Sequence, residues 1–165
     1  MLGIDYKKSE KYLIEAIYCG FTSKDILFEL GIAYGGQQKY LQALISLKEA
    51  LNYSLDDPIL HYQLGIIYNE MEIYDLAIIE FQQYIDKIQD DPISYRLIGD
   101  CYANLKQFEQ SIINYRKALE LYDYEDVKTI YSLGSVSYTH LRAHETPEHL
   151  VWRHLLEKKK GGGGG

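Results

Sequence analysis

Apolar side chains recur along this chain every three or four residues, the spacing that places them on one face of a helix. One such stretch carries Leu60, Leu64 and Tyr68, and a second stretch carries Ala77 and Phe81. Only the short polar segment 69–72 separates them, a length typical of the turn between packed helices. The pattern predicts two consecutive helices joined by a tight turn.

Two Asp-Pro pairs mark where further helices begin. In Asp57-Pro58 and Asp91-Pro92 the aspartate can cap the free amides of a helix, and proline suits its first position. The chain has only three prolines in 165 residues, and long stretches lack turn residues. These signals together predict an all-α fold.

The helix-pair pattern returns with a period of 34 residues, measured between successive Leu-Gly or Ile-Gly pairs that are followed by tyrosine. A fourth Leu-Gly pair arrives one residue late, after a longer loop at 121–126. The signature positions are Leu30, Gly31, Tyr34, Ala43, Ala50, Leu64, Gly65, Tyr68, Ala77, Phe81, Ile98, Gly99, Tyr102, Ala118, Leu133 and Gly134. The chain is therefore an array of one repeated unit.

The glycine of each unit and the small residue twelve positions later have a packing role. Two helices approach closely where neither carries a bulky side chain, and large side chains fill the space beside the contact. A helix–turn–helix of this length, with L-G-x-x-Y and then A-x-x-x-F, resembles the tetratricopeptide repeat family. That resemblance implies a right-handed helical solenoid of antiparallel helix pairs.

The array is predicted to span residues 1–135. Its units are a second helix at 5–23, full repeats at 24–57, 58–91 and 92–126, and the start of a truncated repeat at 127–135. The opening helix is assigned because Tyr6, Leu13 and Ala16 stand one period before Tyr40, Leu47 and Ala50. Either this helix caps the array, or the chain is a fragment of a larger protein, the interpretation that we favour.

The resemblance also implies that first helices line a concave groove that holds peptides or partner helices. The groove candidates are Phe28, Ile32, Ile59, Tyr62, Ile66, Asn69, Ile93, Arg96 and Asp100. Family members that grip a C-terminal carboxylate use Lys, Arg and Asn there, whereas only Asn69 and Arg96 fit that pattern here. An apolar and aromatic groove suits an apolar or amphipathic segment. Alternatively, these residues pack only against neighbouring repeats or another domain.

The last thirty residues, 136–165, do not continue the repeat. Their histidines and glutamate have passable metal-ligand spacing: His140, His144, Glu145, His149 and His154. However, VSYTHLRAHET and LVWRHLLEKKK resemble a translated sequencing-library adapter, and lysine and glycine runs follow. We therefore expect this segment to be an artefact without a native fold, and we expect no metal site.

The formal charge of −7 disfavours a nucleic-acid partner, because phosphate contacts need a basic surface. No apolar run is long enough for a membrane helix. Gly35-Gly36 is not followed by the Lys-Ser or Lys-Thr of a phosphate loop, and His61 stands at a core position of the repeat. Cys19 and Cys101 are expected to be buried or half-buried free thiols. No catalytic residue set is visible.

These observations predict a non-catalytic protein–protein interaction module that uses no cofactor and acts in a bacterial cytoplasm. The alternative is a sensor or accessory region of a peptide-responsive regulator or enzyme whose effector domain lies outside this chain. The two hypotheses differ in what flanks the repeats, and both place a protein or peptide in the groove.

Overall fold

The computed structural model describes residues 5–122 and 126–144. Within these ranges the chain forms eight helices and no strand, which confirms the predicted all-α class. The helices are α1 (Tyr6–Tyr18), α2 (Lys24–Gly36), α3 (Tyr40–Tyr53), α4 (Pro58–Glu70), α5 (Tyr74–Ile85), α6 (Pro92–Asn104), α7 (Phe108–Leu121) and α8 (Val127–His144). Over the same ranges, no helix is both long enough and apolar enough to cross a membrane.

The helices form a solenoid in which each packs against its neighbours in sequence, and most extensively within the pairs α2/α3, α4/α5 and α6/α7. By their place in the repeat, α2, α4, α6 and α8 are first helices, and α1, α3, α5 and α7 are second helices. The terminal helices α1 and α8 pack on α2 and α7, respectively. Within residues 5–122 and 126–144 the array therefore has three complete helix pairs, with α1 before them and α8 after them.

A glycine on each complete first helix lies against a large side chain of its partner helix. A Cβ atom on Gly31 would stand 2.6 Å from Leu47, and one on Gly65 would stand 2.7 Å from Phe81. Both large side chains are fully buried, so no empty space could receive the added carbon. Gly99 repeats this contact with Tyr115, at 2.7 Å. The glycine thus sets the close approach within each pair.

The first helices carry side-chain N-caps, and the second helices of the complete pairs do not. Asp57 accepts from the amide of Ile59, Asp91 accepts from those of Ile93 and Ser94, and Ser23 caps α2 in the same way. The caps of α3, α5 and α7 make no side-chain hydrogen bond. The carboxylates at the inter-repeat turns are thus used to satisfy free amides at helix starts.

The turn inside each complete pair is built on a left-handed residue that is not glycine. Gln38, Glu72 and Lys106 have φ angles of 61°, 60° and 60°, and they occupy one position of the repeat. The amide after each of them returns to the first helix; that of Gln107, for example, donates to the carbonyl of Tyr102 at 2.9 Å. This bonding pattern ends the first helix and reverses the chain.

Helix α8 departs from the predicted end of the array at residue 135. It continues to His144, because residues 135–144 contain neither proline nor a residue with a left-handed backbone. Val136 is buried at 8% exposure, and the His140 ring lies 6.2 Å from that of Phe108. The structure thus places residues 136–144 in α8, and the expectation that the segment 136–165 is an artefact without a native fold stays a prediction. The remaining tail, with Glu145, His149 and His154, lies outside the described residues.

Candidate binding groove

Three cavities follow the first helices and bring together candidate positions from successive repeats. Each cavity is lined by a candidate on one first helix and a candidate on the next first helix. The pairs are Phe28 and Ile59, Ile32 and Ile66, and Asn69 and Asp100. Six of the nine candidate residues therefore line one of these cavities. We define the groove by these three cavities.

The first cavity, about 150 Å³, is lined by Phe28 and Ile59 together with the pair Lys24 and Asp57. Ile59 is 56% exposed, so an apolar surface is available there. The Lys24 ammonium lies 2.7 Å from the Asp57 carboxylate, and this hydrogen bond holds the pKa of Asp57 below its ordinary value. Lys24 and Asp57 satisfy each other, and the exposed Asp25 also lines the cavity, so this end of the groove offers apolar contact beside one further carboxylate.

The second cavity, about 330 Å³, lies in the middle of the groove around Ile32 and Ile66. Tyr6 of α1 also lines it, and its ring packs where a Cβ on Gly36 would stand, 2.5 Å away. Gln63 and Glu70 complete the polar part of the wall. Sequence reasoning missed Tyr6 because the groove positions were taken from first helices only. It missed Gln63 and Glu70, which lie on the first helix α4, because neither stands at a position that the resemblance assigns to the groove.

The third cavity, about 450 Å³, is acidic. Its lining includes the carboxylates of Glu70, Glu72 and Asp100, with Asn69 and Tyr115 and without any lysine or arginine among the lining residues. This composition makes it the polar end of the groove.

Asp100 is the most constrained carboxylate of the acidic cavity. It accepts from Arg96 at 2.9 Å and from the Tyr115 hydroxyl at 2.7 Å. Burial, together with the adjacent Asp100 carboxylate, raises the pKa of Tyr115, which stays a hydrogen-bond donor. Arg96 is therefore engaged within its own helix rather than aimed at a ligand carboxylate. The sequence analysis did not include Tyr115 among the groove candidates.

Tyr62 and Ile93, two further candidates, do not line these three cavities. The half-buried Tyr62 ring stands 5.0 Å from the Tyr84 ring and 5.9 Å from that of Phe81. Burial raises the pKa of its hydroxyl, and the Asp91 charge adds to that effect. Ile93 is 40% exposed at the start of α6. Tyr62 therefore serves its own repeat in addition to any role at the surface.

Two of the groups that could carry chemistry elsewhere in the described chain, His61 and Cys101, are engaged in packing. His61 is 6% exposed, and its Nδ1 atom lies 2.8 Å from a carboxylate oxygen of Glu80. Cys101 is buried beside Asn69, and burial raises the pKa of its thiol to about 12. Cys19, in contrast, is exposed, which corrects the expectation that both thiols are buried. The described residues contain no group of three or more metal-ligating side chains.

Comparison with known proteins identifies the same architecture. Residues 94–124 match the family profile described as "Tetratricopeptide repeat". The solved structure of MamA, residues 41 to the end, from Desulfovibrio magneticus RS-1 is similar, with a TM-score of 0.78 and 22% identity over 94% of this chain and 88% of that one. No curated protein sequence matches the chain.

Two further similar structures are of proteins described as binding peptides. The first TPR of Spaghetti (RPAP3), bound to the HSP90 peptide SRMEEVD, has a TM-score of 0.67 and 18% identity over 72% of this chain and 94% of that one. YrrB, described as a TPR protein with an unusual peptide-binding site, has a TM-score of 0.71 and 18% identity over 77% of this chain and 65% of that one. At such identities the similarity establishes the fold.

Proposed function

We propose that this chain, a tetratricopeptide repeat protein by its profile match and its fold, is a non-catalytic interaction module that acts in the cytoplasm and binds a peptide or partner helix in its groove. The observation that carries the proposal is the series of three cavities along the first helices, apolar at one end and acidic at the other. Such a surface selects a segment by shape and charge without any reaction.

The chemistry of the cavities favours an amphipathic partner with a basic side chain. Phe28 and Ile59 offer an apolar contact, and Ile32 and Ile66 lie at the next cavity along. Apolar anchors in such pockets supply most of the binding energy of an interface, and charges set orientation. The acidic cavity with Asp100 complements a lysine or arginine of the partner. One charged end therefore fixes the direction in which the segment lies.

This partner differs from the acidic peptide SRMEEVD that is bound to the RPAP3 domain. Binding a carboxylate needs free cations or amides, and here Arg96 is bound to Asp100. The carboxylates of Glu70, Glu72 and Asp100 at the same cavity would repel a second carboxylate. The peptide complex of RPAP3 supports a role in segment binding, whereas the side chains of this groove support a basic and apolar segment.

The proposal is tested with a designed amphipathic helical peptide that carries leucines on one face and a lysine at one end. We expect fluorescence anisotropy to show saturable binding, and tighter binding than for the same peptide with glutamate in place of the lysine. The double variant Glu70→Gln/Glu72→Gln should reduce this preference, because it removes two of the carboxylates at the acidic cavity. Equal binding of a sequence-scrambled peptide, or tighter binding of the glutamate peptide, would contradict the proposal.

A further inference from the structure

Two adjacent glycines, Gly35 and Gly36, end α2. A Cβ atom on Gly35 would stand 2.8 Å from the Ile67 side chain of α4. One on Gly36 would stand 2.5 Å from the Tyr6 ring of α1. The next two repeats carry larger residues at these two positions: Asn69, Glu70, Ala103 and Asn104. The glycine pair thus lets α1 and α4 approach the end of α2 more closely than a side chain there would allow.

The close approach at Gly36 brings the Tyr6 ring to the second cavity of the groove. Tyr6 and Tyr40 are the first residues of α1 and α3, one period apart, and both line this cavity. Both are half-buried, so each keeps some surface free for a bound segment. Ile32 and Ile66 line the same cavity. The second cavity therefore combines two aromatic side chains with an apolar wall.

Polar contacts of the first turns of α1 fix the position of Tyr6. The Gln37 amide donates to the Tyr6 carbonyl at 3.3 Å and to the Glu10 carboxylate at 2.7 Å. The Lys39 ammonium donates to the same carboxylate at 2.7 Å. The equivalent of Gln37 in the next repeat is Met71, which has no side-chain donor, so this attachment is particular to α1. Tyr6 thus stands on a helix whose place beside the groove is held by hydrogen bonds.

We propose that Tyr6 is a specificity-determining residue of the groove, which together with Tyr40 makes the second cavity select an aromatic side chain of the bound segment. This inference rests on the proposed function, because it names the residue of the segment that the second cavity takes. Gly36 is the seat that lets the ring stand there. Helix α1 thereby contributes to recognition, although it precedes the complete repeats.

The lining of the second cavity suits an aromatic side chain better than an aliphatic one. Aromatic rings in offset-stacked or edge-to-face arrangements attract each other beyond the area that they bury, whereas a leucine gains from burial only. Three further lining side chains carry acceptor oxygens: Gln38, Gln63 and Glu70. They can accept from the hydroxyl of a tyrosine or the indole N–H of a tryptophan, groups that need a partner when they are buried.

The experiment uses the full chain and variants of the designed helical peptide that carries leucines on one face and a lysine at one end. Each leucine is replaced in turn by phenylalanine and, as a non-aromatic control of similar size, by cyclohexylalanine. Fluorescence anisotropy measures the affinities. At one of the positions we expect the phenylalanine peptide to bind about two- to tenfold more tightly than the cyclohexylalanine peptide.

Three variants of the chain assign this preference to Tyr6. Tyr6→Leu keeps an apolar side chain without the ring, and it should bring the two affinities together. Gly36→Ala keeps the ring but displaces it, because the added Cβ would stand 2.5 Å from it, and it should also reduce the preference. Tyr12→Leu is the matched control on α1, where Tyr12 is 58% exposed and lines none of the three cavities, and it should keep the preference. The readout is a ratio of two peptides on one variant, so a general loss of stability does not imitate it.

The outcomes separate this inference from the proposed function. Saturable binding of the leucine peptide without a preference for phenylalanine at any position overturns the role of Tyr6 and leaves the proposed function standing. A preference that Tyr6→Leu retains, or one that Tyr12→Leu also abolishes, overturns the role of Tyr6 as well. Tighter binding of an arginine at the same position than of phenylalanine would assign the cavity to a cation and overturn the aromatic selection. If no peptide binds saturably, both the inference and the proposed function fail.

Discussion

Gly65 and Gly134 occupy the same position of the repeat, in the middle of the array and at its end, but their surroundings are opposite. At Gly65 the partner helix is so close that an added Cβ would stand 2.7 Å from the Phe81 ring, whereas at Gly134 no side chain of the described residues comes within 4 Å. The motif fixes a helical register at both places. A close helix contact forms only where the chain turns back, which shows that the glycine permits a contact but does not create it.

The largest expected effect comes from enlarging these two glycines. Gly65→Leu should lower the free energy of unfolding by about 3 kcal/mol, because the new side chain overlaps Phe81 and neither helix can move without disturbing its neighbours. Gly134→Leu should instead raise it by up to about 1 kcal/mol, since leucine is the better helix former and has open space there. Denaturant unfolding of dilute samples measures both values. Losses of equal size at the two positions would show that α8 has a partner helix within the same chain.

The second effect concerns the groove, whose lining residues belong to the complete repeats except for Tyr6 of α1. Phe28→Ala should weaken the binding of the lysine-bearing peptide by about 1–3 kcal/mol, the magnitude of an aromatic anchor, because Phe28 lines the first cavity. Because Phe28 also packs against the hydrophobic core, thermal unfolding must show that the variant is folded at the assay temperature.

The matched control is Gln82→Ala, on the exposed side of α5. It should leave peptide affinity unchanged, because the three cavities lie along the first helices. Weaker binding by Gln82→Ala together with unchanged binding by Phe28→Ala would show that the array binds through its second helices.

A smaller effect concerns Asp57 at the start of α4, where the stability contributed by its charge can be separated from that contributed by its N-cap hydrogen bond. The pKa of Asp57 is lowered in the folded protein, chiefly by the hydrogen bond from Lys24. The stability that this carboxylate contributes is therefore present above its ordinary pKa of 3.8 and is lost as the pH falls toward the lowered folded value. Asp57→Ala should cost about 1 kcal/mol at pH 7, because the N-cap is lost.

Asp57→Asn keeps a capping side chain without the charge. It should retain most of the stability at pH 7 and reduce the acid dependence below about pH 5. Denaturant unfolding at several pH values measures both properties. An Asn variant with the acid dependence of the wild type would assign that dependence to other carboxylates, such as Glu10, whose pKa is lowered by Lys39 and Gln37.

The fold could be predicted from sequence because its main determinants are local. Each of these determinants acts within one helix pair. They are the period of 34 residues, the Asp-Pro starts at α4 and α6, and the spacing of Gly65 and Phe81. The course of α8 could not be predicted from the same signals. Its continuation depends on the absence of a turn residue near Leu141 and on the burial of Val136, which only the packed structure displays.

The sequence could predict which residues stand near the groove, but not how their side chains interact. The repeat register placed Asp100 and Arg96 near the groove. The hydrogen bonds that Asp100 accepts from Arg96 and from the Tyr115 hydroxyl depend on side-chain conformations, which the register does not determine. Tyr6 reaches the groove from the preceding helix, which a position-by-position comparison of first helices does not include.

The smallest effect compares α6, after which the chain turns at Lys106, with α8, which continues through the equivalent residue Leu141. Lys106 is left-handed at a φ of 60°, and Leu141 occupies the same register in α8 but is helical. Lys106→Gly should raise the free energy of unfolding by about 0.5 kcal/mol, because glycine adopts this conformation without strain but loses more freedom on folding. Leu141→Gly should lower it by about the same amount, because glycine weakens a helix and the exposed leucine contributes little packing. Denaturant titrations of paired samples resolve differences of this size when the slopes agree. A stabilising Leu141→Gly would mean that the chain turns after Gly134 as it does in the middle repeats, and α8 would then have a second helix of its own.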